Sequence, residues 1–398
     1  MRSQYAPADP FFPTKPKPVL GRIAAYVAAS AISAAILIAT SPAAARAQAF
    51  GGSVLVTDGY ILVGESAHER EPGTVWVFAR EGDSWRSVAA LRATPGNNPV
   101  LRDVQPRTLD RFGHRLAQVG DHVFVTAGGQ GGGQLYSFRL EDIGDPDARP
   151  DLQVSVSNEP FGTTLAGWED ELVISYPPSD GYRIERMRMN ADGVAIPAGQ
   201  FTVPLQSAGT GTIPLAHDDH LLAFGDPFNN AVHLFEKPVA DGEWESAGTL
   251  TAPGEPAQPT SFGFSLALGG GELLVGELQT QVVHRYAKVD GTWQSVGTLE
   301  PEDDVMRLGY GTSLAADGET LLVGGARQFH EYRRSGEGWA RTGDSPLYNA
   351  DGAPASRGAG LHIGDQVAVL ADPSADFGLG AATVFSRESG EWARSGRL

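Results

Sequence analysis

The chain has 398 residues, a formal net charge of −18, 50 glycines, 27 prolines and no cysteine. The lack of cysteine excludes a disulfide framework and thiolate chemistry, and so acidic a surface repels nucleic acid and anionic membranes. The glycine and proline content suits a turn-rich β protein, and nothing after residue 50 carries the periodicity of a helix.

Taken in chain order, residues 1–22 carry prolines at 7, 10, 13, 16 and 18 and read as a disordered, positively charged lead. Residues 23–49 follow as an uncharged Ala- and Ile-rich stretch, Ile23 to Thr40, and a small-residue segment, Ser41-Pro42-Ala-Ala-Ala-Arg-Ala-Gln-Ala49. A basic start, an apolar core and an Ala-x-Ala end describe an export signal cleaved after Ala47 or Ala49. The alternative is an uncleaved anchor tethering the protein to a membrane through residues 23–41, with the basic residues inside. Both place the rest of the chain outside the cytoplasm.

From residue 50 to 398 one phrase recurs seven times. It opens near 50, 112, 161, 211, 262, 310 and 358, at spacings of 47–62 residues. The fifth copy is the clearest. Phe262-Gly-Phe-Ser-Leu-Ala-Leu268 reads as a half-buried strand, Gly269-Gly270-Gly271 turns the chain, and Glu272-Leu-Leu-Val-Gly276 is a second strand. Val282 to Tyr286 is a third strand, Asp290-Gly291 a hairpin turn, and Trp293 to Leu299 a fourth. A Trp opens the fourth strand at Trp85, Trp244, Trp293, Trp339 and Trp392, and is lacking in copies two and three. Four short strands per repeat of about 40–50 residues is the arithmetic of a propeller blade. The expected fold is therefore all-β, a single seven-bladed β-propeller of four-stranded antiparallel blades. The Phe or Tyr that opens five of the seven copies (Phe50, Phe112, Phe161, Phe262 and Tyr310) is expected to fill the wedge between blades, and the Gly beside it to let two backbones approach.

The phrases Phe262-Gly-Phe-Ser-Leu-Ala with Leu273-Leu-Val-Gly-Glu, Tyr310-Gly-Thr-Ser-Leu-Ala with Leu321-Leu-Val-Gly-Gly, and Phe50-Gly-Gly-Ser-Val-Leu with Ile61-Leu-Val-Gly-Glu resemble FG-GAP repeats. Those repeats build the propeller at the head of integrin α chains and occur in many secreted bacterial proteins, so the resemblance implies adhesion or envelope assembly. Calcium-binding members carry an Asp-rich loop between the first and second strands. Here that connection is a tight turn, such as Asp218-Asp219 or Asp317-Gly318, which cannot supply the six to eight oxygens that calcium takes. No metal or cofactor is expected.

Catalytic signals are weak. Gly263-Phe-Ser265-Leu-Ala and Gly311-Thr-Ser313-Leu-Ala come near Gly-x-Ser-x-Gly, but a nucleophile elbow needs a helix after the serine. His217-Asp218-Asp219-His220 is the most metal-like string, yet it occupies a plain turn position. Two acidic loops, Glu141 to Asp151 and Glu300 to Asp304, read as solvated. Propeller loops between second and third strands share one face with those that join blades. The residues of recognition character there are His68, Glu69, Arg70, Asp226, Asn229, Asn230, Arg327, Asp372 and Asp376. The sequence thus points to an exported, non-catalytic scaffold binding a protein or glycan through one face. The alternative is an exported hydrolase or lyase acting on a polysaccharide at the ring centre. A closed ring buries its own core, so a monomer is expected.

Overall fold

The computed structural model describes residues 50–57, 59–66, 73–93, 111–129, 132–157, 159, 161–176, 182–205, 213–239, 242–254, 259–336, 338–349, 352, 354–355, 359–364 and 366–398. The N-terminal segment 1–49, with its export or anchor reading, and His68, Glu69 and Arg70 lie outside them. No helix among the described residues is long and apolar enough to cross a membrane.

From residue 50 onward the described residues form one compact unit, an all-β ring of seven four-stranded antiparallel sheets, each built from four consecutive strands. The innermost strands are β1 (Phe50–Thr57), β5 (Phe112–Val119), β9 (Leu165–Trp168), β13 (Leu215–His217), β17 (Phe262–Gly269), β21 (Leu314–Asp317) and β25 (Gly360–Gly364). Next come β2 (Tyr60–Glu65), β6 (His122–Gly129), β10 (Glu171–Tyr176), β14 (Leu221–Asp226), β18 (Glu272–Glu277), β22 (Thr320–Gly324) and β26 (Val367–Asp372). The third set is β3 (Thr74–Glu81), β7 (Gly132–Arg139), β11 (Tyr182–Met189), β15 (Ala231–Glu236), β19 (Val282–Val289), β23 (Phe329–Ser335) and β27 (Ala381–Glu388). The rim is β4 (Ser84–Leu91), β8 (Asp151–Ser157), β12 (Ala195–Val203), β16 (Glu245–Thr251), β20 (Thr292–Leu299), β24 (Gly338–Asp344) and β28 (Glu391–Arg397). The helix-free expectation needs one amendment. Among the described residues a single helical turn occurs at Asp304–Arg307, a 3₁₀ turn at Leu140–Asp142, and a tight turn through left-handed backbone at Ala375–Gly378, each bridging strands within a loop.

The core lies between blades. Phe112 has no exposed surface and packs among Leu62, Val75 and Val77 of blade 1 and Val123, Val125 and Tyr136 of its own blade. Phe262 does the same between blades 4 and 5. The glycine after each aromatic is forced twice over. Gly113 has φ +84°, and a Cβ there would stand 2.9 Å from the carbonyl oxygen of Thr74 in blade 1. The pairing register slips at the same place, between Phe112 and Arg115 and between Phe262 and Ser265, so the Phe-Gly pair forms a bulge. Beyond it, Ser53 Oγ donates to Gly113 O (2.8 Å) and Ser265 Oγ to Gly311 O (2.7 Å), tying each inner strand to the next blade. The ring closes by the same packing. Val54, Ile61 and Val63 of blade 1 share a cluster with Val367, Val369 and Val384 of blade 7, and Phe50 forms a parallel bridge to Gly380.

A second device crosses four seams. The rim tryptophan of one blade donates its indole N–H to a glutamate of the blade before it: Trp244 to Glu171 (2.9 Å), Trp293 to Glu236 (2.7 Å), Trp339 to Glu272 (3.0 Å) and Trp392 to Glu331 (3.0 Å). In each case a cation of the tryptophan's own blade joins the same carboxylate, namely Lys237, Lys288, Arg334 and Arg387. Glu171 and Glu272 also bind Arg186 and Arg285 of their own blades, both buried. Burial pushes the Glu171 and Glu272 carboxyls up, but these hydrogen bonds outweigh it and hold both below the usual range.

Candidate functional site

The turns joining second to third strands, and the connections joining blades, lie on one face. In blade 4 the turn is Asp226-Pro-Phe-Asn-Asn230. Asp226 is buried; it accepts from Asn229 Nδ2 (2.7 Å) and lies 3.7 Å from His233 Nε2. Burial raises the Asp226 carboxyl, and the adjacent His233 imidazole with the hydrogen bonds from Asn229 overcomes that and lowers it. Asn230 adopts φ +52°, and its Oδ1 accepts from the backbone N–H of Thr260 (2.8 Å) and Ser261 (2.9 Å), fixing the connection into blade 5. Held between these two anchors, Asn229 and Phe228 project outward, and Phe228 is 67% exposed.

Blade 7 repeats the arrangement with different residues. Asp372 is buried, and its Oδ1 accepts from Ser374 N (3.0 Å) to start the turn. Asp376 and Phe377 both sit in the left-handed region, at φ +51° and +62°. Asp376 is exposed and pairs with Arg397 of the rim (2.7 Å). Phe377 is 106% exposed, touching little but solvent, and Leu379 beside it is also exposed. In blade 6 the turn is sewn between two blade connections. Ala326 N donates to Leu308 O (2.8 Å) and Tyr348 N to Arg327 O (2.8 Å). This sets the exposed Arg327 side chain in a patch with the exposed Leu308 and Leu347.

Of the residues expected from sequence, Asn229, Arg327 and Asp376 therefore present side chains to solvent on one face, while Asp226, Asn230 and Asp372 build the turns that hold them. Sequence reasoning missed Phe228, Leu308, Leu347, Phe377 and Leu379. The available signal was a large apolar residue inside turn composition, as in Pro227-Phe228-Asn229 and Asp376-Phe377-Gly378. An aromatic exposed on left-handed backbone is a costly way to build a turn and a suitable way to present an anchor.

The other sequence candidates have structural partners. Ser265 is consumed by its bond to Gly311 O. Asp218 Oδ1 accepts from His220 N (2.8 Å) and Leu221 N (2.7 Å), making 217–220 a capped turn. His217 stacks on Trp168 with ring centroids 4.9 Å apart, and burial pushes its pKa down to about 4, against a smaller opposing pull from Asp218. In the acidic loops, Asp145 Oδ1 accepts from Asp147 N (2.8 Å) and Glu302 pairs with Arg341 (2.8 Å). Among the described residues no three His, Cys, Asp or Glu side chains gather as a metal set.

No family model and no curated protein matches the chain. Solved structures match across most of the ring. A protein from Lactobacillus plantarum aligns with TM-score 0.59 at 14% identity, covering 86% of this chain and 96% of that one. A protein of unknown function from Desulfotomaculum acetoxidans aligns at 0.55 and 11%, covering 86% and 95%. The periplasmic gluconolactonase of Pseudomonas aeruginosa aligns at 0.51 and 14%, covering 85% and 94%. At such identities the likeness is one of fold, and by that likeness and its own seven sheets the chain is a seven-bladed β-propeller.

Proposed function

We propose that this chain is an exported, non-catalytic binding scaffold that recognises a protein or glycan through the loops of one propeller face. The observation that carries this reading is Phe377, fully exposed on left-handed backbone, with Phe228 on the matching turn of blade 4. Large apolar side chains held in water by a rigid frame are the usual anchors of recognition surfaces. Polar neighbours, Asn229, Arg327 and Asp376, supply directional contacts. The basic, apolar and Ala-x-Ala features of residues 1–49 support export. The FG-GAP-like openings support a role in adhesion or envelope assembly.

The test is capture. The immobilised protein is exposed to envelope extract and spent medium of its source organism, beside a Phe228→Ala/Phe377→Ala variant. Retention of one protein or glycan by the wild type, reduced about tenfold or more in the variant at unchanged melting temperature, supports the scaffold. Equal retention by both overturns it.

A hydrolase centred on the channel is the second reading. The fold shared with a gluconolactonase and the inner-strand residues His114, Arg115 and His362 are on its side. Against it, among the described residues the inner strands carry one carboxylate, Asp317, whereas glycoside hydrolysis uses a pair. Polymer cleaved without retention in the capture experiment would favour this second reading.

A further inference from the structure

The seam between blades 7 and 1 lacks ties that cross other seams. Its wedge aromatic, Phe50, is only half-buried, whereas Phe112, Phe161, Phe262 and Tyr310 have no exposed surface. At the inner strands, Ser53 and Ser265 each bond a carbonyl of the following blade. Gly360 holds that register position in blade 7 and has no hydroxyl to offer. At the rim, blade 1 keeps both donors of the tryptophan device. Trp85 pairs with Arg80 across β3 and β4 as Trp293 does with Lys288 and Trp339 with Arg334. Blade 7 sets no carboxylate opposite them. Val367 stands where Glu171 and Glu272 do, Ser386 where Glu236 does, and Val384 where Glu331 does. The buried Trp85 indole N–H is left without a hydrogen-bond partner among the described residues, a cost that the closed seam bears and that water relieves once the seam parts.

We propose that the ring opens reversibly at the seam between blades 7 and 1, and that the turn 375–380 of blade 7 is the latch that closes it. Apolar packing of Val54, Ile61 and Val63 on Val367, Val369 and Val384 holds the seam from within. The turn reaches both sides of it. Gly380 bridges Phe50 at the start of the first strand, and Asp376 pairs with Arg397 of the last strand (2.7 Å). That ion pair is partly exposed and therefore a weak tie. Asp376 and Phe377 are non-glycine residues on left-handed backbone, a conformation that persists only while its surroundings enforce it. A seam closed by one apolar cluster and one strained turn is the low-stability end of a ring whose other seams carry more, and local opening is drawn from that end. The same turn presents Phe377, so the latch and that side chain move together. The opening itself does not depend on the loop-face reading above.

The experiment is thiol labelling under native conditions. The chain has no cysteine, so one introduced thiol is a unique probe. Val63 and Val275 hold the same repeat position and have no exposed surface. Val63 lies in the seam between blades 7 and 1, and Val275 in the seam between blades 4 and 5, which the Trp293–Glu236 bond crosses. Cysteine is a small apolar replacement for either. Val63→Cys and Val275→Cys proteins are each mixed with a thiol-reactive reagent. The thiol at position 63 should be modified about tenfold or more faster than the one at 275. Adding Gly380→Ala, whose Cβ would collide with Phe50 O, should speed modification at position 63 by a further factor of about three or more and leave position 275 unchanged. If Gly380→Ala does not fold, Arg397→Gln, which removes only the tie to the last strand, takes its place. Equal rates at the two positions overturn the opening. Acceleration of both positions alike, or of neither, overturns the latch.

Discussion

At the residue scale, the aromatic that opens five of the seven blades carries a disproportionate share of stability. Phe112 and Phe262 are completely buried between two blades, so each removal leaves a cavity lined by residues on both sides that cannot collapse independently. Phe112→Ala or Phe262→Ala should each cost about 3–5 kcal/mol, read from chemical denaturation. A loss below about 1 kcal/mol would remove the wedge from the account of the fold. The aromatic-glycine pair was legible because its cause is local. A positive φ at a bulge pressed against the backbone of the blade before leaves room for glycine alone, and the adjoining ring repeats with it. The loop anchors were less legible. Nothing in the order Pro227-Phe228-Asn229 says that Asp226 turns inward to His233 and Asn230 to the next blade, leaving Phe228 outside.

At the element scale, the seams are not equal. Glu272 gathers Arg285 from its own blade and Arg334 and Trp339 from the next, with its own side chain almost wholly buried. Glu272→Ala strips three donors of a shared acceptor and should cost about 3–5 kcal/mol, whereas Glu272→Leu with Arg285→Met should recover much of it. Urea denaturation of the two variants checks this, and equal losses would refute the role of the unpaired charge. The seam between blades 7 and 1 has the tryptophan, Trp85, but its buried indole nitrogen has no hydrogen-bond partner among the described residues. Val367 holds the strand position that Glu272 holds in blade 5. The regular tryptophans were visible in sequence. Their carboxylates were not, because Glu272 and Glu171 open a second strand while Glu236 and Glu331 lie in a third.

At the scale of the whole molecule, stability should fall steadily with acid, in two stages of the same sign. Burial depresses His217 and His362 to about 4 in the fold, from 6.5. Between those values the unfolded chain takes up protons that the folded ring refuses, so stability drops as pH falls from 6.5 toward 4. Glu171, Glu272 and Asp226 are lowered in the fold by their partners. Their contribution is complete above the unfolded carboxylate range and is lost as pH falls through their folded values, below about 4.5. Melting temperatures from pH 8 to 3 should decline from about 6.5 downward, and His362→Gln should flatten the upper stage. A profile flat to pH 4 would contradict this.

The amino-acid sequence by itself determined the all-β class, the seven repeats, four strands to each, and the aromatic-glycine opening, because these follow from short-range alternation, turn chemistry and a repeated local strain. Only the tertiary structure decided which glutamate meets which tryptophan, which turn residues face water, and that Arg115 lies along the carbonyls of blades 1 and 3. These are contacts between residues about 50–70 positions apart. They are set by how closely one blade's backbone approaches the next, a distance that no local pattern encodes and that the closed ring imposes on all seven blades at once.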